Sequence, residues 1–171
     1  MHSNLEEAKN YLKKKLDNKS IYLLGGGKSA NDLLKSNDIH PKQVLNIDPF
    51  ISEEDIDRNN KGVYRSISQR ADSDSLIEEI NSNKLELADE IWASFSVPFY
   101  NQSKEEIDNL FNNIKNLLKE SGNCRITPLS TQNKEASEAV LNNLKDITSS
   151  KDYNIHLQGE TLVIHKLSQE N

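Results

Sequence analysis

The stretch Ser20–Lys35, SIYLLGGGKSANDLLK, decides the fold. It opens as a short apolar strand, passes through Gly25, Gly26 and Gly27, and continues from Ser29 to Leu34 with the pattern of a helix. Glycine has no Cβ, so a turn of this kind lets the main chain come close to a ligand. An extended cofactor held against the backbone is the first expectation.

Working outward, strands and helices alternate along the rest of the chain. Before the stretch, Leu5, Ala8, Leu12 and Leu16 recur at helical spacing. After it, QVLNIDP is a second strand cut off by Pro49, and ISEEDIDRNN is a polar connection with a helical turn. GVYRSI is a third strand, and Ser73–Asn81 a short helix with Leu76, Ile77 and Ile80 inward. DEIWASFSV is a fourth strand stopped by Pro98, with Trp92 in the core. Ser103 and Glu106 then form a capping box before the stripe Ile107, Leu110, Phe111, Ile114, Leu117 and Leu118. Gly122 stands where a C-cap glycine ends such a helix. NCRITPL is a fifth strand, and Lys134–Ile147 a helix with Ala136, Val140, Leu144 and Ile147 inward. The end, YNIHLQGETLVIHKL, is a hairpin turning at Gln158-Gly159-Glu160. The fold class expected is α/β, a three-layer Rossmann-like sandwich. Its seven-stranded sheet is mostly parallel and closes with a C-terminal antiparallel hairpin. Residues 1–19 form an N-terminal helix and 20–171 one ligand-binding domain.

Composition narrows the function. The chain has 171 residues, 35% hydrophobic and 28% charged, and a net charge of −6, which disfavours a nucleic-acid duplex as partner. Lys13, Lys14 and Lys15 sit beside Glu6, Glu7 and Asp17, as on a solvated helix face. One cysteine, Cys124, permits no internal disulfide and reads as a small buried side chain. There is no membrane-length apolar run and no apolar signal core. A soluble protein of the reducing cytoplasm is expected. His40, His156 and His165 show no helical metal-ligand spacing, and no metal is expected.

Three cofactor classes use a glycine turn of this kind. A triphosphate loop needs its first glycine where Tyr22 stands, although Gly27-Lys28-Ser29 provides the end of that motif. Lys28 and Ser29 are better read as an exposed helix start. A dinucleotide turn fits Gly25–Ala30 as G-x-G-x-x-A, with the acid Asp48 closing the next strand. A dehydrogenase would normally add a substrate domain, which this length lacks. S-adenosylmethionine uses the same glycines and acid.

In four ordered motifs the chain resembles the class I S-adenosylmethionine-dependent methyltransferases, over nearly everything after residue 19. LLGGGKS resembles the first motif. LNIDPF resembles the second, which implies that Asp48 binds the ribose hydroxyls. QRADSDSL resembles the third, with Asp72, or Asp74 close behind, meeting the adenine amine. IWASFSVPFY resembles the fourth, at the floor of the transfer site. Two departures stand out: Leu23 occupies the position of the acid that helps hold the methionine amine, and Ser29 that of the third glycine.

The candidate cofactor residues are Gly25, Gly26, Gly27, Asp48, Pro49, Phe50, Asp72, Ser94 and Ser96; Ser96 and Tyr100 are the catalytic candidates. Each has a plain structural alternative: a simple turn for the glycines, a turn acid for Asp48, a helix cap for Asp72 and Asp74. The function implied is methyl transfer to an unidentified acceptor. A non-catalytic binding module of the same fold and a dinucleotide-binding module are the alternatives. So small a domain has little material for a lid. Either a second subunit of a homodimer closes the site, or the acceptor is bulky, or there is no chemistry.

Overall fold

A computed structural model describes residues 2–27 and 30–168; Lys28 and Ser29, read above as a helix start, lie outside the described residues, as does the side chain of Leu5. The elements run α1 (His2–Leu16), β1 (Ser20–Leu24), α2 (Ala30–Ser36), β2 (Gln43–Ile47), α3 (Glu53–Asn59), β3 (Tyr64–Ile67) and α4 (Leu76–Ser82). They continue with β4 (Ala88–Ser94), α5 (Lys104–Leu117), β5 (Leu118–Thr127), α6 (Lys134–Ser149), β6 (Tyr153–Gln158) and β7 (Thr161–Lys166). The seven strands form one sheet in the order β3-β2-β1-β4-β5-β7-β6. β3 through β5 are parallel, β7 is antiparallel to β5, and β6 is antiparallel to β7.

Alternation along β1 creates the three layers. Tyr22 and Leu24 enter one core with Leu76 and Ile80 of α4, Ile107, Leu110, Phe111 and Ile114 of α5, and Ala136, Val140 and Ile147 of α6. Ile21 and Leu23 enter a second core with Leu16 of α1, Leu34 of α2, Ile39 and Val44. Leu23, at the position of the family's acid, is a core residue of this second layer, with Trp92 packed against the same cluster. Trp92 is half-buried rather than fully enclosed, and its indole N–H donates to Glu90 at 3.2 Å.

Local chemistry sets the helix ends. The Ser103 hydroxyl accepts from the Glu106 amide while Glu106 reaches back to the N-cap amide, the expected capping box. Ser52 likewise accepts from the Asp55 amide and starts α3, so the polar connection after Pro49 holds a full short helix. At the free edge of the sheet, the Ser66 amide of β3 donates to Asn60 Oδ1 at 2.7 Å, and Arg65 covers the carbonyls of Gly62 and Tyr64. The edge is thereby closed to another strand.

Gly122 is not the C-cap of α5. The helix ends at Leu118, which turns directly into extended backbone, and Gly122 lies within β5 at a register shift opposite Ala88–Glu90. A Cβ there would stand 2.9 Å from the Lys119 carbonyl oxygen and 3.1 Å from that of Ala88. A bulge, rather than a left-handed turn, requires this glycine. Gly122→Ala therefore lowers the unfolding free energy by about 1–3 kcal/mol. Urea denaturation measures it, and an unchanged midpoint would contradict the packing around the bulge.

Candidate functional site

Strand order reverses between β1 and β4, and the chain leaving the carboxyl ends of β1 to β4 converges there. The loop after β1 is fixed by its neighbours. Gly25 and Gly27 adopt φ of +66° and +67°, a region that glycine enters freely. The Gly25 amide donates to the Ile47 carbonyl at 2.7 Å. The Gly27 amide donates to Asp48 Oδ2 at 2.9 Å, and Asn46 Nδ2 donates to the Gly27 carbonyl at 2.7 Å. Asp48 Oδ1 accepts from the Phe50 amide at 2.8 Å. Asp48 is buried, and a carboxylate offers further lone pairs beyond these two bonds.

Ser96 forms the floor beneath the loop. A Cβ on Gly25 would lie 2.3 Å from Ser96 Cβ, and Ser96 Oγ donates to the Leu24 carbonyl at 2.6 Å. The hydroxyl proton of this catalytic candidate is thus committed to the main chain.

Beside the loop opens a cavity of about 530 Å³. Of the candidates from sequence, Gly25, Pro49, Phe50, Asp72, Ser96 and Tyr100 line it. Gly26, Gly27, Asp48 and Ser94 are not among its walls, although Gly27 and Asp48 anchor the loop that carries Gly25. Ser94 is exposed at the end of β4, paired in register with Thr127. Phe50 is 88% exposed and Tyr100 60% exposed, so two aromatic rings stand uncovered on the cavity's walls. A second cleft, of about 440 Å³, lies along β3 among Asn60, Ser66, Gln69 and Glu79, without a glycine turn.

Asp72, not Asp74, belongs to the cavity. Asp74 accepts from Asn109 of α5 at 2.8 Å. Neither caps α4, whose N-cap is Ser75 without a side-chain bond. Both oxygens of Asp72 are engaged by Arg70, Oδ1 by Nε at 2.9 Å and Oδ2 by Nη2 at 2.8 Å. Arg70 Nη2 also reaches Glu106 at 2.7 Å, so the wall is tied to the capping box of α5. The bond to Asp72 holds the Arg70 guanidinium above its ordinary pKa.

Sequence reasoning missed Arg70 and Asn101. Arg70 stood inside the third motif, two residues from Asp72, where i, i+2 spacing in a loop carries no pairing rule. Asn101, beside Tyr100, is 1% exposed and lines the cavity, and its Oδ1 has no hydrogen-bond partner among the described residues. The other candidate groups lie elsewhere. Cys124 is fully buried, and burial pushes its thiol well above the ordinary range. His165 Nδ1 meets Asn123 Oδ1 at 3.0 Å in the terminal hairpin, and exposed His40 sits 3.4 Å from Asp38. Among the described residues no group of three or more His, Cys, Asp or Glu could hold a metal ion, and no helix is long and apolar enough to cross a membrane.

No protein-family model and no curated protein matches the chain. Solved structures do. A protein from Clostridium thermocellum provisionally assigned as an rRNA methylase superposes with a TM-score of 0.62 at 14% identity, covering 97% of each chain. A provisionally assigned methyltransferase from Streptococcus mutans, solved with S-adenosylhomocysteine, gives 0.60 at 16% identity, covering 95% of this chain and 97% of that one. An O-methyltransferase family protein from Burkholderia thailandensis gives 0.57 at 12% identity, covering 90% of this chain and 52% of that one. At such identities the likeness shows the fold, and the fold is shared nearly end to end with the first two.

The Gly25–Ser96 contact makes a direct prediction. Gly25→Ala meets both a left-handed φ, costing about 1 kcal/mol, and a steric collision. Ser96→Gly removes the collision together with the Ser96–Leu24 hydrogen bond, and the single variant measures the cost of that bond. In a double-mutant cycle by chemical denaturation, Ser96→Gly therefore restores part of the stability lost in Gly25→Ala, with a coupling of at least about 1 kcal/mol. Strict additivity would contradict the contact.

Proposed function

We propose, for a chain with the class I methyltransferase fold, that it binds S-adenosylmethionine at the switch point and transfers the methyl group to an acceptor. The observation that carries this reading is the glycine loop after β1, anchored by the buried carboxylate of Asp48, beside a cavity that Gly25 lines. A side chain at Gly25 would collide with Ser96, so only glycine lets the main chain pass this close to that residue.

When bound, S-adenosylmethionine supplies an electrophilic methyl carbon whose bond to the sulfonium breaks as the acceptor attacks in line. The residues of the chain position, shield and orient. Gly25 to Gly27 give close main-chain approach. Asp48, whose two oxygens already accept from the Gly27 and Phe50 amides, would take the ribose hydroxyls on its remaining lone pairs. Pro49, Phe50 and Val97 flank the heterocycle. Ser96 holds the floor by its bond to Leu24, a positioning role rather than that of a base. Tyr100, exposed at the cavity, faces the acceptor. With no unengaged base assigned at the mouth among the described residues, the rate gain would come from alignment, and the acceptor's proton would leave to solvent.

The acceptor is read as a small molecule or a protein. The net charge of −6 argues against a long polyanion, and a homodimer partner or the acceptor itself would cover the rings of Phe50 and Tyr100, exposed among the described residues. Leu23, packed into the second core, leaves no acid at that position and favours the non-catalytic alternative, whereas the glycine loop anchored by Asp48 beside the cavity favours the methyltransferase reading.

Calorimetric titration separates the readings. The chain binds S-adenosylmethionine and S-adenosylhomocysteine and does not bind NAD. Binding of NAD alone would establish a dinucleotide module, and binding of none a module without cofactor. Asp48→Ala weakens S-adenosylhomocysteine binding by roughly ten- to a hundredfold. Because Asp48 also fixes the Gly27 amide, Asp48→Asn serves as a companion that keeps an acceptor oxygen; unchanged affinity in both would remove Asp48 from the site.

A further inference from the structure

We propose that the outer edge of β6 pairs with β6 of a second copy of this chain, so that one sheet runs through a homodimer. The two edges of the sheet are built differently. β3, at one end, is closed by Asn60 and Arg65. β6, at the other end, has no strand on its outer side among the described residues and pairs with β7 in an unbroken register. Its sequence, YNIHLQ, holds no Lys, Arg, Asp, Glu or Pro. Charges, prolines and bulges are the means by which a chain keeps an edge from pairing.

The Leu167 amide donates to the Asp152 carbonyl at 2.7 Å, which sets the phase of the β6–β7 ladder. Asn154, His156 and Gln158 therefore turn their main-chain groups toward β7, and Tyr153, Ile155 and Leu157 turn theirs outward. These last residues also share one face of the strand. Tyr153 and Ile155 pack on the first core there, while Leu157 is 69% exposed. An apolar side chain left open beside unpaired main-chain groups is what a missing neighbouring strand leaves.

The edge is complementary to itself. A two-fold axis normal to the sheet keeps each side chain on its own face, so it must set one residue opposite its own copy. Centred on Ile155, the pairing joins outward main-chain groups to outward main-chain groups. Ile155 meets Ile155, Tyr153 meets Leu157, and on the other face Asn154 meets His156. Centred on His156, it would set Asp152 opposite Glu160, and like charges directly opposite destabilise a pair. Centred on Asn154, it would set Leu157 opposite Lys151. The Ile155 register covers Leu157 with an apolar side chain and brings no like charges together. Because β6 runs antiparallel to its copy, the two cavity mouths open at opposite edges of the joined sheet. Cover for Phe50 and Tyr100 is then left to the acceptor. None of this depends on what the cavity binds.

Sedimentation equilibrium tests the pairing on the full chain without ligand. The wild type has twice the 19.4 kDa of one chain into the micromolar range. Leu157→Lys puts a charge at an exposed position and weakens association at least about tenfold. Asn154 and His156 of the second copy lie across a pair without mutual main-chain bonds, with Cα atoms about 4.5 Å apart, within reach of a disulfide. Asn154→Cys combined with His156→Cys therefore gives a covalent dimer on mild oxidation. Asn154→Cys alone does not, because its own copy lies on the diagonal, about 7–8 Å away. Native Cys124 is buried and does not compete. A monomeric wild type, which would leave the edge to a strand of another protein, overturns the proposal whether or not any variant folds. So does a dimer that Leu157→Lys leaves intact, a wild-type dimer whose double-cysteine variant does not cross-link, or a cross-link that forms equally well in the single variant.

Discussion

Gly27 is held from both sides, its amide donating to Asp48 and its carbonyl accepting from Asn46. Asp48 and Asn46 flank Ile47, the residue whose carbonyl takes the Gly25 amide. The end of β2 therefore dictates the path of the loop after β1. Ser96, arriving from β4 on the other side, occupies the only space that a Gly25 side chain would need. Three strands that neighbour one another in the sheet thus fix one bare stretch of main chain, and the cavity follows from where that stretch can go.

Much of this was legible in the sequence because it rests on short-range patterns. Short apolar runs marked the parallel strands, and helical spacing marked α5 and α6. Ser103 and Glu106 announced the capping box three residues apart, a spacing with a direct geometric cause. The terminal hairpin showed itself by Gly159, whose φ of +64° needs a residue without Cβ. Gly122 misled because a glycine after a helix has two explanations, a left-handed cap or a close main-chain contact. Only the partner strand decides between them, and Ala88, 34 positions earlier, is that partner.

The site was legible in outline and hidden in its wiring. Gly25, Asp48, Asp72 and Ser96 could be marked because they end strands, and parallel sheets gather strand ends along one edge. What they bond to could not be read. The Arg70–Asp72–Glu106 group joins a loop to a helix 36 residues away, and it changes Asp72 from an open acceptor into a wall. Asn101 is conspicuous only through its burial and its empty oxygen, properties that residue type does not carry. Ser96, a candidate by residue type and position, gives its proton to the Leu24 carbonyl, a bond that residue type does not announce. Charge in the Arg70–Asp72–Glu106 group ties the cavity wall to α5.

The central claim is spatial: an adenosyl group lies along Gly25–Gly27 with its sugar on Asp48. A crystal structure of the chain soaked with S-adenosylhomocysteine tests it most directly. The account predicts density for the nucleoside in the cavity, both ribose hydroxyls within hydrogen-bond distance of the Asp48 carboxylate, and the Gly25–Gly27 main chain in contact with the ligand. A ligand bound elsewhere, or a soaked crystal in which side chains fill the groove beside Gly25, would contradict it.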